Sequence, residues 1–452
     1  MNEAIWTAIQ AFDFNHPMSN YGFTTRLANE NKWTLQFANL AILEYKKFMY
    51  LAATADAMVS PSEIVDIVWH QHLIFTQSYN DFCALLGKKI EHIPSTHNPQ
   101  DALKFKLAKE RTTRLYKSVF GKQPTAIWEA NSIYDPLALP KATYKIRSFI
   151  IVGILVLLIL IKPAYWLLHK LIQQIDNPYF LFGYIGVMIA VLIILRFYNR
   201  SQLSALLMHC DKDVFLFKLD PDELVYLRFN KLTEVVHNVV NRLVVEKKII
   251  ITESNQLKAA EEANTSNAIE FTILEKIKLK GTADYPSLLA HIVKLPAAKR
   301  VEEAIQGLRK YILKSTRFVQ LFQINFIILA LLLLPGITRM TTGMEREKPI
   351  ILLAFTLFCY LIIMTVFLFS LTHVFTTVTL ANTYKKQFTA LPQNEQTPYL
   401  YFLSGYTALT ASFSPVVNKL TSSTSGSDSG GGSCGSSCGS SCSSCGGCGG
   451  GD

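Results

Sequence analysis

The sequence predicts a mainly α-helical polytopic membrane protein, and three observations predict it. Of 452 residues, 50% are hydrophobic and only 17% charged, where a soluble domain carries about a quarter charged residues. Four apolar stretches each reach the roughly 20 helical residues that cross a hydrocarbon core. The segments before and between them return to soluble composition, with apolar residues at helical spacing. The mean hydropathy of +0.23 fits this division, and the length allows roughly three domains.

The net charge of +10 is spread along the chain. Residues 1–147 carry 16 Lys/Arg against 13 Asp/Glu, and residues 198–317 carry 19 against 15. Neither excess makes a nucleic-acid platform. Of eight cysteines, Cys83, Cys210 and Cys359 are scattered and five crowd into 434–448, unlike the framework of a small disulfide domain. No Walker motif, dinucleotide fingerprint or Ser/His/Asp order is present.

Residues 1–135 read as a helical soluble domain, and the opening MNEAIWTAIQAFDF lacks the basic and apolar regions of a signal peptide. Ser60-Pro61-Ser62-Glu63 is a helix start: Ser60 caps, Pro61 takes the first helical position and Glu63 closes a capping box. One helix is expected through VDIVWHQHLIFTQSYNDFCALL to Gly87. At about 100° per residue, Asp66, His70, Gln77, Asn80, Asp81 and Ala84 share a narrow polar face. Trp69, His72, Thr76, Tyr79 and Cys83 share another line, and Cys83 is a small packing residue.

His70 and His72 point roughly 160° apart on a regular helix, so they do not ligate one metal together. The zinc-protease spacing, two histidines at i and i+4 with a glutamate between, is absent. Asp66 and His70 lie one turn apart, and His92 or His97 from the following loop completes an oxygen-and-imidazole set for a divalent metal. The alternative is a hydrogen-bond network, with His72 bonded to Thr76 or a backbone carbonyl and His70 at the surface beside Asp66. Sequence leaves both open.

Val65-Asp66, Trp69-His70-x-His72, Thr76, Tyr79, Phe82-Cys83, Gly87 and His92-x-Pro94 together resemble a signature of glycine-rich domain-containing proteins of plants and bacteria. The likeness is strong here and looser over 1–135. It implies no established reaction.

The first membrane hairpin, 148–198, has spans at 148–168 and 179–198; the second, 318–378, has spans at 318–337 and 350–371. Lys141, Lys145 and Arg147 precede the first span, and Arg196 and Arg200 close the second. Arg309, Lys310, Lys314 and Arg317 precede the third, and Lys385 and Lys386 follow the fourth. The connections at 169–178 and 338–349 are poorer in net positive charge. The positive-inside rule therefore places both termini and 198–317 in the cytoplasm of a cell's inner membrane. Lys162 lies about 22 Å beyond Arg147 at helical rise and reads as snorkelling to the outer headgroups beside Tyr165 and Trp166. Gln320, Gln323 and Asn325 offer polar glue between helices. No span carries Asp or Glu, which argues against a proton-relay transporter.

Residues 203–316 form a cytoplasmic insert. Asp220-Pro221-Asp222-Glu223 is a capping start, and Leu232, Val235, Val236, Val239, Val240, Leu243 and Val244 make a helical stripe. Ile249–Thr252 and Leu257–Ala259 flank a polar turn and read as a β-hairpin. Two helices and a hairpin make a winged-helix-like layout, with further helices near 269–278, 284–294 and 297–313. The outer face of its second helix, Thr233, Glu234, His237, Asn238, Asn241 and Arg242, has little positive density. Protein docking or self-association is therefore expected there, and nucleic-acid binding is not. The run LDPDELVYLRFNKLTEVVHNVVNRLVVEKKII resembles an uncharacterised family of bacterial membrane proteins that end in a glycine- and cysteine-rich tail.

The tail, 421–452, is Gly/Ser/Cys-rich with almost nothing apolar to bury, so it is expected to stay disordered. Cys434, Cys438, Cys442, Cys445 and Cys448 offer thiolates for a soft metal or for modification.

The expectation is an integral membrane protein embedded in the lipid bilayer, acting as a non-enzymatic scaffold or assembly component with protein partners. One alternative is a metal-handling or thiol-redox membrane protein using the cysteine tail. Another is a membrane-bound enzyme using Asp66, His70 and His92.

Overall fold

A computed structural model describes residues 2–93, 99–176, 178–208, 210 and 214–424. The chain is mainly helical, and four of its helices are long and apolar enough to cross a membrane. The five tail cysteines and His97 lie outside the described residues.

The N-terminal part holds α1 (Glu3–Ala11), α2 (Phe23–Asn31), α3 (Leu35–Thr54), α4 (Glu63–Ile74), α5 (Thr76–Leu86), α6 (Pro99–Phe120) and α7 (Thr125–Trp128). Helix α3 is its axis. Glu44 on α3 is fully buried, accepting from Tyr116 and Trp128 at 2.7 Å and from Lys47 at 2.8 Å. These partners satisfy a carboxylate that burial alone makes costly.

Two expectations for this part are corrected. The helix begins one turn-residue pair later than predicted: Ser62, not Ser60, caps it, accepting from the Val65 N–H at 3.3 Å. Ser60 instead exchanges backbone hydrogen bonds with the Thr112 hydroxyl of α6. The predicted single helix to Gly87 is also two helices. Phe75 leaves helical geometry (φ −89°, ψ 64°) as its ring packs edge-on to Phe23, 5.5 Å between centroids. Tertiary packing overrides the helical period there. Gly87 does cap α5 in the left-handed region, with φ 70°.

The four apolar helices are α8 (Ile146–Gln173), α9 (Tyr179–Met208), the pair α15 (Thr316–Leu331) and α16 (Leu333–Glu345), and α17 (Ile351–His373). The third is central, with 56% of its most apolar window buried against 0–22% for the others. The others leave Ile151, Leu158, Phe182, Ile194, Phe355 and Val366 exposed as an apolar belt. The third span is not one helix, as predicted, but breaks at Leu332. Pro335 has no N–H to give back to the preceding turn. Tyr360 donates to the Leu329 carbonyl at 2.9 Å and Tyr184 to the Leu332 carbonyl at 2.8 Å, tying the neighbouring spans to the break. The predicted loop 338–349 is helical through Glu345. Asn325 does join helices: it exchanges two hydrogen bonds with Asn199 of α9, at 2.7 and 2.9 Å.

The insert holds α10 (Pro221–Phe229), α11 (Leu232–Val245), β1 (Ile249–Ile251), β2 (Leu257–Ala259), α12 (Ala268–Lys280), α13 (Tyr285–Ile292) and α14 (Pro296–Leu313). The strands pair antiparallel with Ile250 opposite Lys258, as the pattern predicts. Asp220 caps α10 in a full capping box with Glu223. The outer face assigned to α11 is not outer. Glu234, His237, Asn238 and Asn241 are all buried.

What covers that face is the chain after the fourth span. Helix α17 runs through a π-helical turn, Val374–Leu380, into α18 (Ala381–Thr389). After α19 (Gln393–Gln396) come α20 (Leu400–Ser404) and α21 (Ser414–Thr424). Tyr401 and Tyr406 donate to the two Glu234 carboxylate oxygens at 2.8 and 2.7 Å. Asn241 donates to the Ala408 carbonyl and accepts from the Thr410 N–H. Helix α21 also extends over 421–424, the first residues of the predicted tail.

Helix α14 fastens the parts together. Arg300 donates to Glu223 at 2.9 Å with both side chains buried, and the same Glu223 oxygen accepts from the Leu35 N–H of α3 at 2.8 Å. Arg309, counted above as a membrane flank, is instead buried between the Asn230 amide and the Thr376 hydroxyl of the π-turn. The linker before α8 pairs with the residue before α15: Ala142 N–H donates to the Lys314 carbonyl and Thr316 N–H to the Pro140 carbonyl.

Candidate metal centre

Asp66 and His70 lie one turn apart on α4, and Gly87 turns the chain back so that the following segment runs beside that helix. This brings His92 to them. Its Nε2 lies 2.8 Å from Asp66 Oδ1, and His70 Nδ1 lies 3.2 Å from Asp66 Oδ2. One ligand atom from each of the three residues lies within 4.8 Å of the others. The His70 and His92 rings meet with centroids 4.3 Å apart.

His70 also sits 2.9 Å from the Asp66 backbone carbonyl through Nδ1. A carbonyl only accepts, so Nδ1 is the donor in this contact, and Nε2 is the nitrogen a metal would take. That is the tautomer of a histidine ligand whose second nitrogen is anchored. Two imidazoles and one carboxylate suit zinc or ferrous iron, with further coordination positions left over. At metal–ligand distances near 2 Å, a tetrahedral pair of donors sits roughly 3.3 Å apart. The Asp66–His92 separation therefore needs to open by only a few tenths of an ångström.

The loop carrying His92 is held by the two aromatic residues of the signature. Trp69 Nε1 donates to the Tyr79 hydroxyl at 3.1 Å, and Tyr79 donates to the Ile90 carbonyl, two residues before His92. Trp69 meets the His92 ring edge-on, 4.6 Å between centroids. Asp66 and His92 line the wall of a cavity of about 540 Å³ whose other walls include Phe48, Met58, Glu63 and Phe105. Arg111 donates to the Met58 carbonyl and pins the loop that closes one side.

His72 takes no part in this cluster. It is fully buried, with Nδ1 2.9 Å from the Tyr45 hydroxyl and Nε2 3.2 Å from Ser78. The partners predicted from sequence, Thr76 or a backbone carbonyl, are replaced because the break at Phe75 swings Ser78 underneath. Phe14 meets its ring edge-on at 4.7 Å. Burial pushes the imidazole down to about 4 and holds the Tyr45 hydroxyl well above its ordinary value. His72 is a neutral core residue. The helical periodicity around His70 and His72 gave no hint of Tyr45, Ser78 or the Trp69–Tyr79 anchor.

The family model described as UCP032817-like matches residues 7–115, which contain the whole cluster. Glycine-rich domain-containing protein 1 of Arabidopsis thaliana is 28% identical over 104 residues, 22% of this chain and 12% of that protein. Glycine-rich domain-containing protein 2 of the same plant is 26% identical over 103 residues, 22% of this chain and 13% of that protein. The chain thus spans about an eighth of the length of these relatives, and the similarity belongs to its N-terminal part. No solved structure matches.

Proposed function

We propose that this chain is a multipass protein of a bacterial cytoplasmic membrane whose cytoplasmic body binds a divalent metal at Asp66, His70 and His92. It works there as a membrane-anchored assembly component with protein partners. The observation that carries the metal reading is the three-ligand cluster with His70 already anchored through Nδ1. Membrane insertion is supported by the four apolar helices and their exposed belt. The cytoplasmic side is supported by Lys141, Lys145, Arg200, Lys314, Lys385 and Lys386, which flank the spans at the ends joined to the N-terminal part, the insert and the C-terminal segment.

The test is metal analysis of the full chain purified in detergent, beside Asp66→Asn and His70→Ala. One equivalent of metal is expected in the parent and at least a tenfold weaker hold in either variant. Metal retained by both variants overturns the reading; metal lost only on removal of the cysteine tail transfers the site to Cys434–Cys448. Orientation is tested with a membrane-impermeant maleimide. Intact cells should leave the tail cysteines unlabelled, and permeabilised cells should label them. A second reading, a metal-dependent membrane enzyme, is favoured by the cavity onto which Asp66 and His92 open. Catalytic zinc keeps three protein ligands and an open position. Saturating the site with inert cadmium while screening hydrolytic substrates separates the two.

A further inference from the structure

Where the second and fourth spans leave the apolar zone, their surfaces turn polar on facing sides. On α9, Arg200 and Ser204 stand at i and i+4. On the π-turn and α18, Thr379, Asn382, Thr383 and Lys386 stand at i, i+3, i+4 and i+7, with Lys385 beside them. These seven positions, with Val378, line a groove of about 320 Å³. Arg200 is two residues past the apolar run ending at Tyr198, so the groove opens about one helical step beyond the hydrocarbon boundary.

Its chemistry is one-sided. Three cations line it and no Asp or Glu does. Three arginines of the body are spoken for: Arg242 by Asp222 and Glu270, Arg300 by Glu223, and Arg309 by Asn230 and Thr376. Among the described residues, Arg200, Lys385 and Lys386 form no ion pair, and the Ser204 hydroxyl and Asn382 amide donate to no protein group. Thr379 and Thr383 turn their hydroxyl protons onto helix carbonyls, at 3.4 and 3.1 Å. The π-turn packs on α9 and leads directly into α18, so residues of all three line the groove. Such turns concentrate at functional sites. It is fixed from behind by Arg309 on Thr376.

We propose that this groove binds the phosphate of an anionic phospholipid headgroup from the cytoplasmic leaflet. The inference rests on the membrane reading above. Three unpaired cations with adjacent neutral donors, at headgroup depth between two spans, are the chemistry that holds an acidic lipid. A zwitterionic lipid brings its own cation into the same groove and is disfavoured.

The experiment uses the full chain in detergent micelles, titrated with dioleoylphosphatidylglycerol or dioleoylphosphatidylcholine and read by native mass spectrometry. One phosphatidylglycerol is expected to stay bound where phosphatidylcholine does not. Arg200→Gln/Lys385→Gln/Lys386→Gln should weaken it roughly fivefold per cation removed. Lys145→Gln/Lys310→Gln/Arg317→Gln removes the same charge from exposed flanks outside the groove and should leave binding intact. Glutamine keeps helix propensity, and the single variant Lys386→Gln serves if the triple variant misfolds. Equal binding by the groove and flank variants overturns the proposal. Inorganic phosphate displacing the lipid at equal concentration also overturns it, assigning the groove to a soluble phosphate. A chain that stays in solution without detergent removes the membrane reading, and the lipid site falls with it. A chain that needs detergent yet shows no lipid preference removes the lipid site alone.

Discussion

A histidine in this protein means opposite things two residues apart. His70 is more than half exposed, with Nδ1 beside the Asp66 carboxylate, while His72 is sealed under aromatic rings. The difference is measurable by pH. Burial holds the folded pKa of His72 to about 4, below an unfolded value of about 6.5. Its contribution is therefore fully present above pH ~6.5 and is lost as pH falls toward 4. Unfolding of the full chain in detergent should lose about 2–3 kcal/mol between pH 8 and pH 4.5 on account of His72. That part should vanish in His72→Gln. His237, also pushed down to about 4 by burial, should leave a second acid-sensitive step in the variant. An unchanged pH slope in His72→Gln would place the sensitivity elsewhere. His70→Ala should hardly move stability and should act only on metal.

At the scale of elements, the instructive case is the covering of α11 by the chain after the fourth span. Glu234 is buried, and its two oxygens take the hydroxyls of Tyr401 and Tyr406. Tyr401→Phe deletes one charge-assisted hydrogen bond without changing shape. It should cost about 1.5–3 kcal/mol in denaturant unfolding. Adding Glu234→Leu should recover part of that loss, because the half-satisfied buried carboxylate goes with it and the exposed Tyr406 hydroxyl turns to water. A Tyr401→Phe variant as stable as the parent would mean the cover is loosely held. The same arrangement leaves this face of α11 occupied from within the chain.

For the whole molecule, the N-terminal part and the insert are joined through a close approach at Gly307 on α14. A Cβ there would sit 2.9 Å from the Lys32 Cβ and 2.3 Å from the Tyr134 hydroxyl. Tyr134 cannot swing aside, because its ring stacks on Tyr311 at 4.8 Å and 15°. Gly307→Ala gains about 1 kcal/mol of helix propensity. A net loss of stability, with faster proteolysis of the 136–145 linker, is nevertheless expected. A stabilised variant would show that the N-terminal part and the insert are not held together here.

Much of this was legible in the sequence, and the legible part has a common origin. Apolar runs, the Asp220 capping box, the Gly87 cap and the hairpin at Ile249–Ala259 are set by local covalent chemistry and by the period of the side chains. The pairing of Asp66 with His70 is likewise a consequence of one helical turn. For the third member the sequence offered two loop histidines, His92 and His97, without choosing between them. What the tertiary structure decided lies at long separation. The break at Phe75 comes from a ring docking on Phe23. The choice of Tyr45 and Ser78 for His72 follows from that break. The burial of Glu234 comes from tyrosines more than 160 residues away, and the groove between Arg200 and Lys386 from a π-turn locked by Arg309. Local signals fix what each segment prefers to be. They do not register which distant side chain arrives to satisfy a buried charge, and in this protein those arrivals decide which faces remain open.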